Sequence, residues 1–146
     1  MIGAGEGNSE LGAIAEEVGS LVARAGAVLV CGGLGGVMEA ACRGARSAGG
    51  LTVGILPGQT RADANAYVEV AVATGIGEAR NLVIIRTADV IIACGGSHGT
   101  LSEIGFALKA GRRVVGLRTW EIPGVVRAET PEQALTLALE TECNHL

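Results

Sequence analysis

The chain has 146 residues, a formal net charge of −4 and 49% hydrophobic residues, so we expect residues 1–146 to form a single domain with a sizeable core. It lacks both a run of Lys and Arg residues and an aromatic stacking platform, which argues against nucleic acid as a partner. No apolar run approaches the ~20 residues of a membrane span, and the first residues do not resemble a signal peptide, so we expect no membrane partner.

Apolar runs and helical patterns alternate along the first half of the chain. Residues 1–4 are a very short apolar start, which is either a strand truncated in this chain or an unusually short central strand. Asn8 or Ser9 can cap a helix that reaches about residue 25. The pattern then predicts a strand at 27–31, a helix at 37–48, a strand at 51–56 and a short strand nearer the sheet edge at 67–72.

The same alternation continues through the second half. The pattern predicts a helix at 78–88, a strand at 90–94, a helix from about residue 100 to Gly111, a strand at 113–117 and a small edge strand at 125–127. We expect the helix after residue 100 to bury Ile104, Phe106 and Leu108. The sequence Thr130-Pro131-Glu132 supplies a cap, a proline at the first helical position and an acid in the first turn. That last helix should reach about residue 142, and the residues after it should fray.

Strands that alternate with helices at this spacing predict an α/β fold with a doubly wound parallel sheet, in the Rossmann-like three-layer αβα arrangement. Tyr67, Phe106 and Trp120 are the only aromatic residues, so the core must consist of Val, Ile, Leu and Ala, which suits parallel strands buried on both faces. Right-handed crossovers would bring the turns that follow the strands together at the carboxyl edge of the sheet.

A glycine-rich turn between the strand at 90–94 and the next helix is the main candidate site. A strand, a glycine turn and a helix N-terminus together direct backbone N–H groups at an anion, which predicts a phosphate-binding loop. Its predicted contacts are Gly95, Gly96, Ser97, His98, Gly99 and Thr100. Thr100 is alternatively a simple helix cap, and His98 an exposed side chain without contact to a ligand.

A second turn, Cys31-Gly32-Gly33-Leu34-Gly35-Gly36, is similar to the first and also follows an apolar run. We predict that Gly32, Gly33, Gly35 and Gly36 form the opposite wall of a phosphate cleft. The alternative is that these glycines only permit a tight turn. The second strand ends without the acid that binds ribose hydroxyls in dinucleotide oxidoreductases, and no G-K-[ST] sequence of a P-loop occurs.

The two motifs resemble those of the LOG-like Rossmann family, once called lysine decarboxylase-like. The family's P-G-G-x-G-T-x-x-E is matched by residues 95–103, its G-G-G-x-x-G-[LV]-M by residues 31–38, and its preceding arginine by Arg80. The family includes cytokinin-activating phosphoribohydrolases and molybdenum cofactor carrier proteins. The resemblance is greatest to the carrier branch, and it implies a homodimer or homotetramer, no required cofactor, and molybdenum cofactor or a nucleoside monophosphate as the phosphorylated ligand.

Resemblance to the hydrolases implies that Glu103 and Arg80 act together on an N-glycosidic bond. The alternatives are that Glu103 caps the helix and that Arg80 is an ordinary ion-pair partner. Gly95 stands where the hydrolase motif has Pro, Ser97 where it has a second Gly, and Asn81 where it has Lys. These departures favour ligand binding over hydrolysis. The sequence still leaves both functions open, that of a carrier and that of a hydrolase.

The cysteines Cys31, Cys42, Cys94 and Cys143 are widely spaced and form no C-x-x-C pair. This spacing predicts neither a metal site nor a disulfide framework, and free thiols indicate the cytoplasm. We expect Cys31 and Cys94 to be small apolar residues at strand ends, and Trp120 to be an interface or core residue.

Overall fold

The computed structural model describes residues 1–140 and has seven strands and five α-helices within them. The elements are, in chain order, β1 Ile2–Gly3, α1 Ser9–Arg24, β2 Leu29–Cys31, α2 Val37–Ser47, β3 Thr52–Leu56, β4 Val70–Ala73, α3 Arg80–Thr87, β5 Val90–Cys94, α4 His98–Lys109, β6 Arg113–Leu117, β7 Val125–Ala128 and α5 Pro131–Leu139. Short 3-10 turns at Arg61–Asp63 and Gly77–Ala79 complete the set.

All strand pairs are parallel, and they form the ladders β2-β3-β4 and β1-β5-β6-β7. The Met1 amino group donates a 2.9 Å hydrogen bond to Val30 O, which joins β1 to β2. The order across the sheet is therefore β4-β3-β2-β1-β5-β6-β7. The connections from β1 and β5 run in opposite directions, so the topological switch point lies between them.

Two apolar clusters on opposite faces of the sheet make up the core. Alternate residues of β5 divide between them: Ile92 and Cys94 pack with α1, α2 and α5, whereas Ile91 and Ala93 pack with α3 and α4. This division is the period-two pattern of a strand buried on both faces. The predicted doubly wound α/β fold with three layers is confirmed.

Helices α1 and α2 cross closely because each has a glycine at the contact. A Cβ on Gly19 would collide with the carbonyl oxygen of Ala41, and one on Gly44 with the carbonyl oxygen of Glu16. Both glycines are buried. The close crossing lets small side chains fill the layer above β1 and β2 with few large residues.

The predicted inner face of α4 was wrong at Phe106, which is 44% exposed. The helix buries Thr100, Ile104 and Ala107. Phe106 is two positions from Ile104, about 200° around the helix, and so it lies on the outer face. The helix also starts two residues earlier than predicted, at His98, because Ser97 serves as its N-cap.

Other observed element boundaries differ from the predicted ones because of local hydrogen bonds and turns. The strand predicted at 67–72 starts only at Val70, because the Tyr67 N–H donates to Asn65 Oδ1 in a turn. That strand and β7 lie at the two edges of the sheet, as predicted. The helix predicted at 78–88 begins at Arg80, after a 3-10 turn. The predicted helix end at about 142, the fraying after it and Cys143 lie outside the described residues.

Candidate functional site

The loop between β5 and α4 lies at the switch point, and its first residue is hydrogen-bonded to the neighbouring strand. Gly95 is buried, has a φ of +62° and donates its N–H to Leu117 O at 2.9 Å, which joins the loop to the end of β6. Gly96, Ser97, His98 and Gly99 follow and are all exposed. The predicted phosphate loop is therefore accessible over four of its six residues.

The first turn of α4 leaves several backbone donors free. Ser97 N–H donates to Thr100 Oγ1 at 3.2 Å, which is one half of a capping box. The N–H groups of Gly96, His98 and Gly99 have no partner among residues 1–140. Free N–H groups at the positive end of a 12-residue helix form a favourable anion site.

Thr100 is 1% exposed, and its hydroxyl oxygen serves the capping box. This geometry supports the alternative of a helix cap for this residue. Direct contact between Thr100 and a ligand stays a prediction, whereas Gly96 and Gly99 have the exposure that such contact needs.

The turn at residues 32–36 lies beside the segment that follows β1. Gly32 and Gly33 are buried, and Gly35 and Gly36 are half-buried. The Val37 N–H donates to Ala4 O at 3.0 Å, and a Cβ on Gly36 would collide with the same segment. The turn therefore adjoins the switch point, with Gly35 and Gly36 as its accessible part, and its contact with a ligand stays a prediction.

Arg80 lies below this turn and is 9% exposed. Its Nη1 donates to Gly32 O at 2.5 Å and to Ile55 O at 2.7 Å, so the guanidinium group joins the ends of β2 and β3. Its Nε is buried without a partner within the described chain. Burial lowers the pKa of Arg80, and the nearby Glu103 carboxylate opposes that shift.

Glu103 is half-buried on α4. Burial raises the pKa of its carboxyl group from 4.5 to about 7, against the attraction of Arg80 and of the Met1 ammonium group. The structure brings Arg80 and Glu103 into electrostatic range, although they form no direct ion pair among the bridges of residues 1–140. A carboxyl group with this pKa exchanges a proton readily near neutral pH.

Cys31 and Cys42 form a buried thiol pair that the sequence spacing did not reveal. Their Sγ atoms are 3.5 Å apart, and both are free cysteines. The hydrogen bond between the two thiols lowers the pKa of Cys31 to about 7, aided by the Gly33 N–H that donates to Cys31 Sγ at 3.3 Å. The same bond raises the pKa of Cys42.

A cavity of about 600 Å³ at the ends of β6 and β7 was also missed. Its lining consists of Gly116, Arg118, Thr119, Trp120, Glu121, Ile122, Pro123, Val125, Arg127, Ala128 and Glu129. We call it the β6–β7 cavity. Trp120 lies against the predicted phosphate loop, since a Cβ on Gly96 would come within 2.5 Å of its Cζ3 atom. The only sequence signal was that the chain's one tryptophan lies three residues after the end of a predicted strand.

Within residues 1–140, no group of three or more His, Cys, Asp or Glu side chains is arranged to hold a metal ion. None of the helices in that range has the length and apolar character needed to cross a membrane.

Comparisons with known proteins agree with this architecture. The model of the SLOG cluster4 family matches residues 1–145. An uncharacterised protein of Archaeoglobus fulgidus is 46% identical over 142 residues, which is 97% of this chain and 93% of that protein.

Two solved structures are similar over nearly their whole length. The molybdenum cofactor binding protein of Rippkaea orientalis superposes with a TM-score of 0.91 at 36% identity, over 98% of this chain and 94% of that one. The molybdenum cofactor carrier protein of Chlamydomonas reinhardtii superposes with a TM-score of 0.89 at 29% identity, over 98% and 96%.

Proposed function

The chain belongs to the SLOG cluster4 family, and on that premise we propose that it binds a nucleotide-like or pterin-phosphate ligand, such as molybdenum cofactor, without catalysing its conversion. The observation that carries the proposal is the set of unpaired N–H groups on the exposed loop at Gly96, His98 and Gly99. These donors stand at the start of α4, at the switch point of a doubly wound sheet, where such folds bind phosphorylated ligands.

Similarity to the two cofactor-binding structures supports this ligand class. We propose that the phosphate lies against the loop, with Ser97 and Thr100 maintaining its shape and with the turn at residues 32–36 on the far side. Arg80 keeps that turn in position through its bonds to Gly32 O and Ile55 O. In this proposal no metal site and no further cofactor are needed.

Equilibrium dialysis of the purified protein against AMP and molybdopterin tests the proposal. We expect at least one of them to be retained, and inorganic phosphate to compete with it. If neither a nucleotide nor a pterin phosphate is retained, the proposed function is wrong.

A second candidate function is hydrolysis of nucleoside 5′-monophosphates to a base and ribose 5-phosphate. It is favoured by Glu103, whose raised pKa suits proton transfer, and by Arg80 beside it. A hydrolase would release free base from AMP, and Glu103→Gln would abolish the release while leaving AMP binding intact. The absence of base release from any monophosphate tested would exclude this candidate.

We also propose that the chain self-associates through the outer face of α4, as a homodimer or homotetramer. Leu101 and Phe106 are 42% and 44% exposed there, and Gly105 between them is open. A variant with Phe106→Lys should sediment as a smaller species than the parent protein. The matched control is Ile76→Lys, which changes an exposed apolar residue outside α4 and should leave the assembly unchanged.

A further inference from the structure

We infer that the β6–β7 cavity holds an uncharged planar heterocycle, the ring part of the ligand whose phosphate lies on the loop at residues 96–99. The inference rests on the proposed function for the position of the phosphate. It rests on separate observations for the ring, namely the cavity, the indole of Trp120 and the charges around them.

Trp120 connects the cavity to the phosphate loop. Its Cζ3 and Cη2 atoms would lie 2.5 and 2.7 Å from a Cβ on Gly96. The indole therefore packs directly on the loop backbone, and only a glycine at position 96 leaves room for it. The same side chain lines the cavity and is 39% exposed. An exposed indole on a cavity wall offers a stacking surface to a planar ring.

The loop and the cavity are adjacent because the strands beneath them are paired. Cys94 and Leu117, the last residues of β5 and β6, are partners in the ladder. The segments at residues 95–97 and 118–120 therefore leave the sheet side by side. One ligand of nucleotide size can span both, since the cavity of about 600 Å³ lies within the usual range for small-molecule sites.

The charges of the cavity favour a neutral ring over a second phosphate. The lining has two arginines and two glutamates, and each arginine already has an acidic partner. Arg127 binds Glu121 and Glu129, both at 2.8 Å, and Arg118 lies 3.3 Å from Glu10 on α1. The cavity therefore has no surplus positive charge to attract an anion.

Two local features indicate a built site. Arg118 has a φ of +53°, a left-handed conformation that costs a non-glycine residue energy and is often kept at binding sites. Thr119 Oγ1 is buried and has no hydrogen-bond partner within residues 1–140. Because this oxygen is buried in the free protein, it would reach a polar edge atom of a heterocycle only after the Thr119 side chain rotates.

The chain's single tryptophan makes the test direct, because all tryptophan fluorescence comes from Trp120. The probes are AMP, ribose 5-phosphate and inorganic phosphate for the loop, and adenosine and neopterin for the ring. We expect adenosine or neopterin to quench the fluorescence at high concentration, AMP or molybdopterin to quench it at low concentration, and ribose 5-phosphate to bind without quenching.

Two variants separate stacking from a structural role. Trp120→Leu should weaken AMP binding about tenfold or more, by calorimetry, and should leave the affinity for ribose 5-phosphate unchanged. Trp120→Phe keeps an aromatic face and should retain most of the AMP affinity. Loss of both affinities in Trp120→Leu would mean that the residue only supports the loop, which would overturn the inference.

The outcomes distinguish the ring site from the phosphate site. If AMP and ribose 5-phosphate bind equally well and neither changes the fluorescence, the ring site is wrong and the phosphate site stands. If adenosine or neopterin quenches but no phosphate probe binds, the ring site stands and the proposed function fails. If none of the probes binds or quenches, both are wrong.

Discussion

Replacing Glu103 by Gln should make the protein more stable at pH 8 and should change its stability much less at pH 5. The carboxyl group has a raised pKa in the fold, about 7 instead of 4.5, because it is buried. Ionisation is therefore harder in the folded state than in the unfolded chain. A group of this kind stabilises the fold below pH 4.5, and its contribution is lost as the pH rises towards 7.

The size of the effect follows from the pKa difference. Each unit corresponds to about 1.4 kcal/mol, so the shift costs the ionised protein on the order of 3 kcal/mol above pH 7. The attraction of Arg80 is already included, since it partly offsets the burial of Glu103. The glutamine side chain has nearly the same shape and no charge, so it removes this cost without opening a cavity.

Urea unfolding of both proteins at pH 5, 6, 7 and 8 measures the difference. We expect the free energy of unfolding of the variant to exceed that of the parent by about 2–3 kcal/mol at pH 8 and by about 1 kcal/mol or less at pH 5. Ser102→Ala on the same helix is the control, since it exchanges two uncharged side chains at an exposed position and therefore changes no titrating group. If the parent protein is as stable as the Glu103→Gln variant at pH 8, or more stable, the reasoning is refuted.

Two further variants test the packing under the site, both by urea unfolding. Gly19→Ala should lower the free energy of unfolding by about 1–3 kcal/mol, because its Cβ meets the Ala41 carbonyl at the α1–α2 crossing. Gly12→Ala on the same helix has open space and should raise it by about 0.5–1 kcal/mol, and equal effects would contradict the close crossing. Arg80→Lys should cost about 2–3 kcal/mol, because one ammonium group cannot keep both carbonyl bonds with the geometry of a guanidinium. An Arg80→Lys protein as stable as the parent would show that these bonds do not hold β2 and β3 together.

The sequence predicts those parts of the fold that depend on local signals, such as helix caps and the turns that bound strands. Helix starts at Asn8 and Thr130 depend on short-range capping, and both side chains accept hydrogen bonds from N–H groups three residues later. The strand at 90–94 is bounded by a glycine turn, and its predicted and observed limits agree. Elements of this kind are determined within a few residues, so the alternation of strands and helices predicts the doubly wound sheet.

The face of a helix is harder to predict when apolar residues surround it. Ile104, Phe106 and Leu108 occupy every second position of α4. One helical face cannot bury all three side chains, because residues two positions apart lie on different faces. The helix buries Ile104 and leaves Phe106 exposed. Which of them faces the sheet depends on the helix start at His98 and on packing against β5 and β6, and neither is a local property.

The missed parts of the site depend on contacts between distant residues. Trp120 meets Gly96 only because β5 and β6 pair in one register. Cys31 and Cys42 meet only because α2 packs over the end of β2, so their spacing in the sequence carries no signal. The predicted phosphate loop needed no such contact, since a glycine turn before a helix start directs N–H groups outward by itself.

The central claim is that a phosphate binds to the loop at residues 96–99, and one change of charge tests it most directly. Ser97→Asp keeps a good N-cap for α4 and adds a negative charge where the phosphate should lie. The control, Thr130→Asp, also replaces a hydroxyl N-cap by Asp, at the start of α5. Titration calorimetry with AMP or molybdopterin should show binding at least tenfold weaker in Ser97→Asp and unchanged in Thr130→Asp. Unchanged binding in Ser97→Asp would contradict the claim.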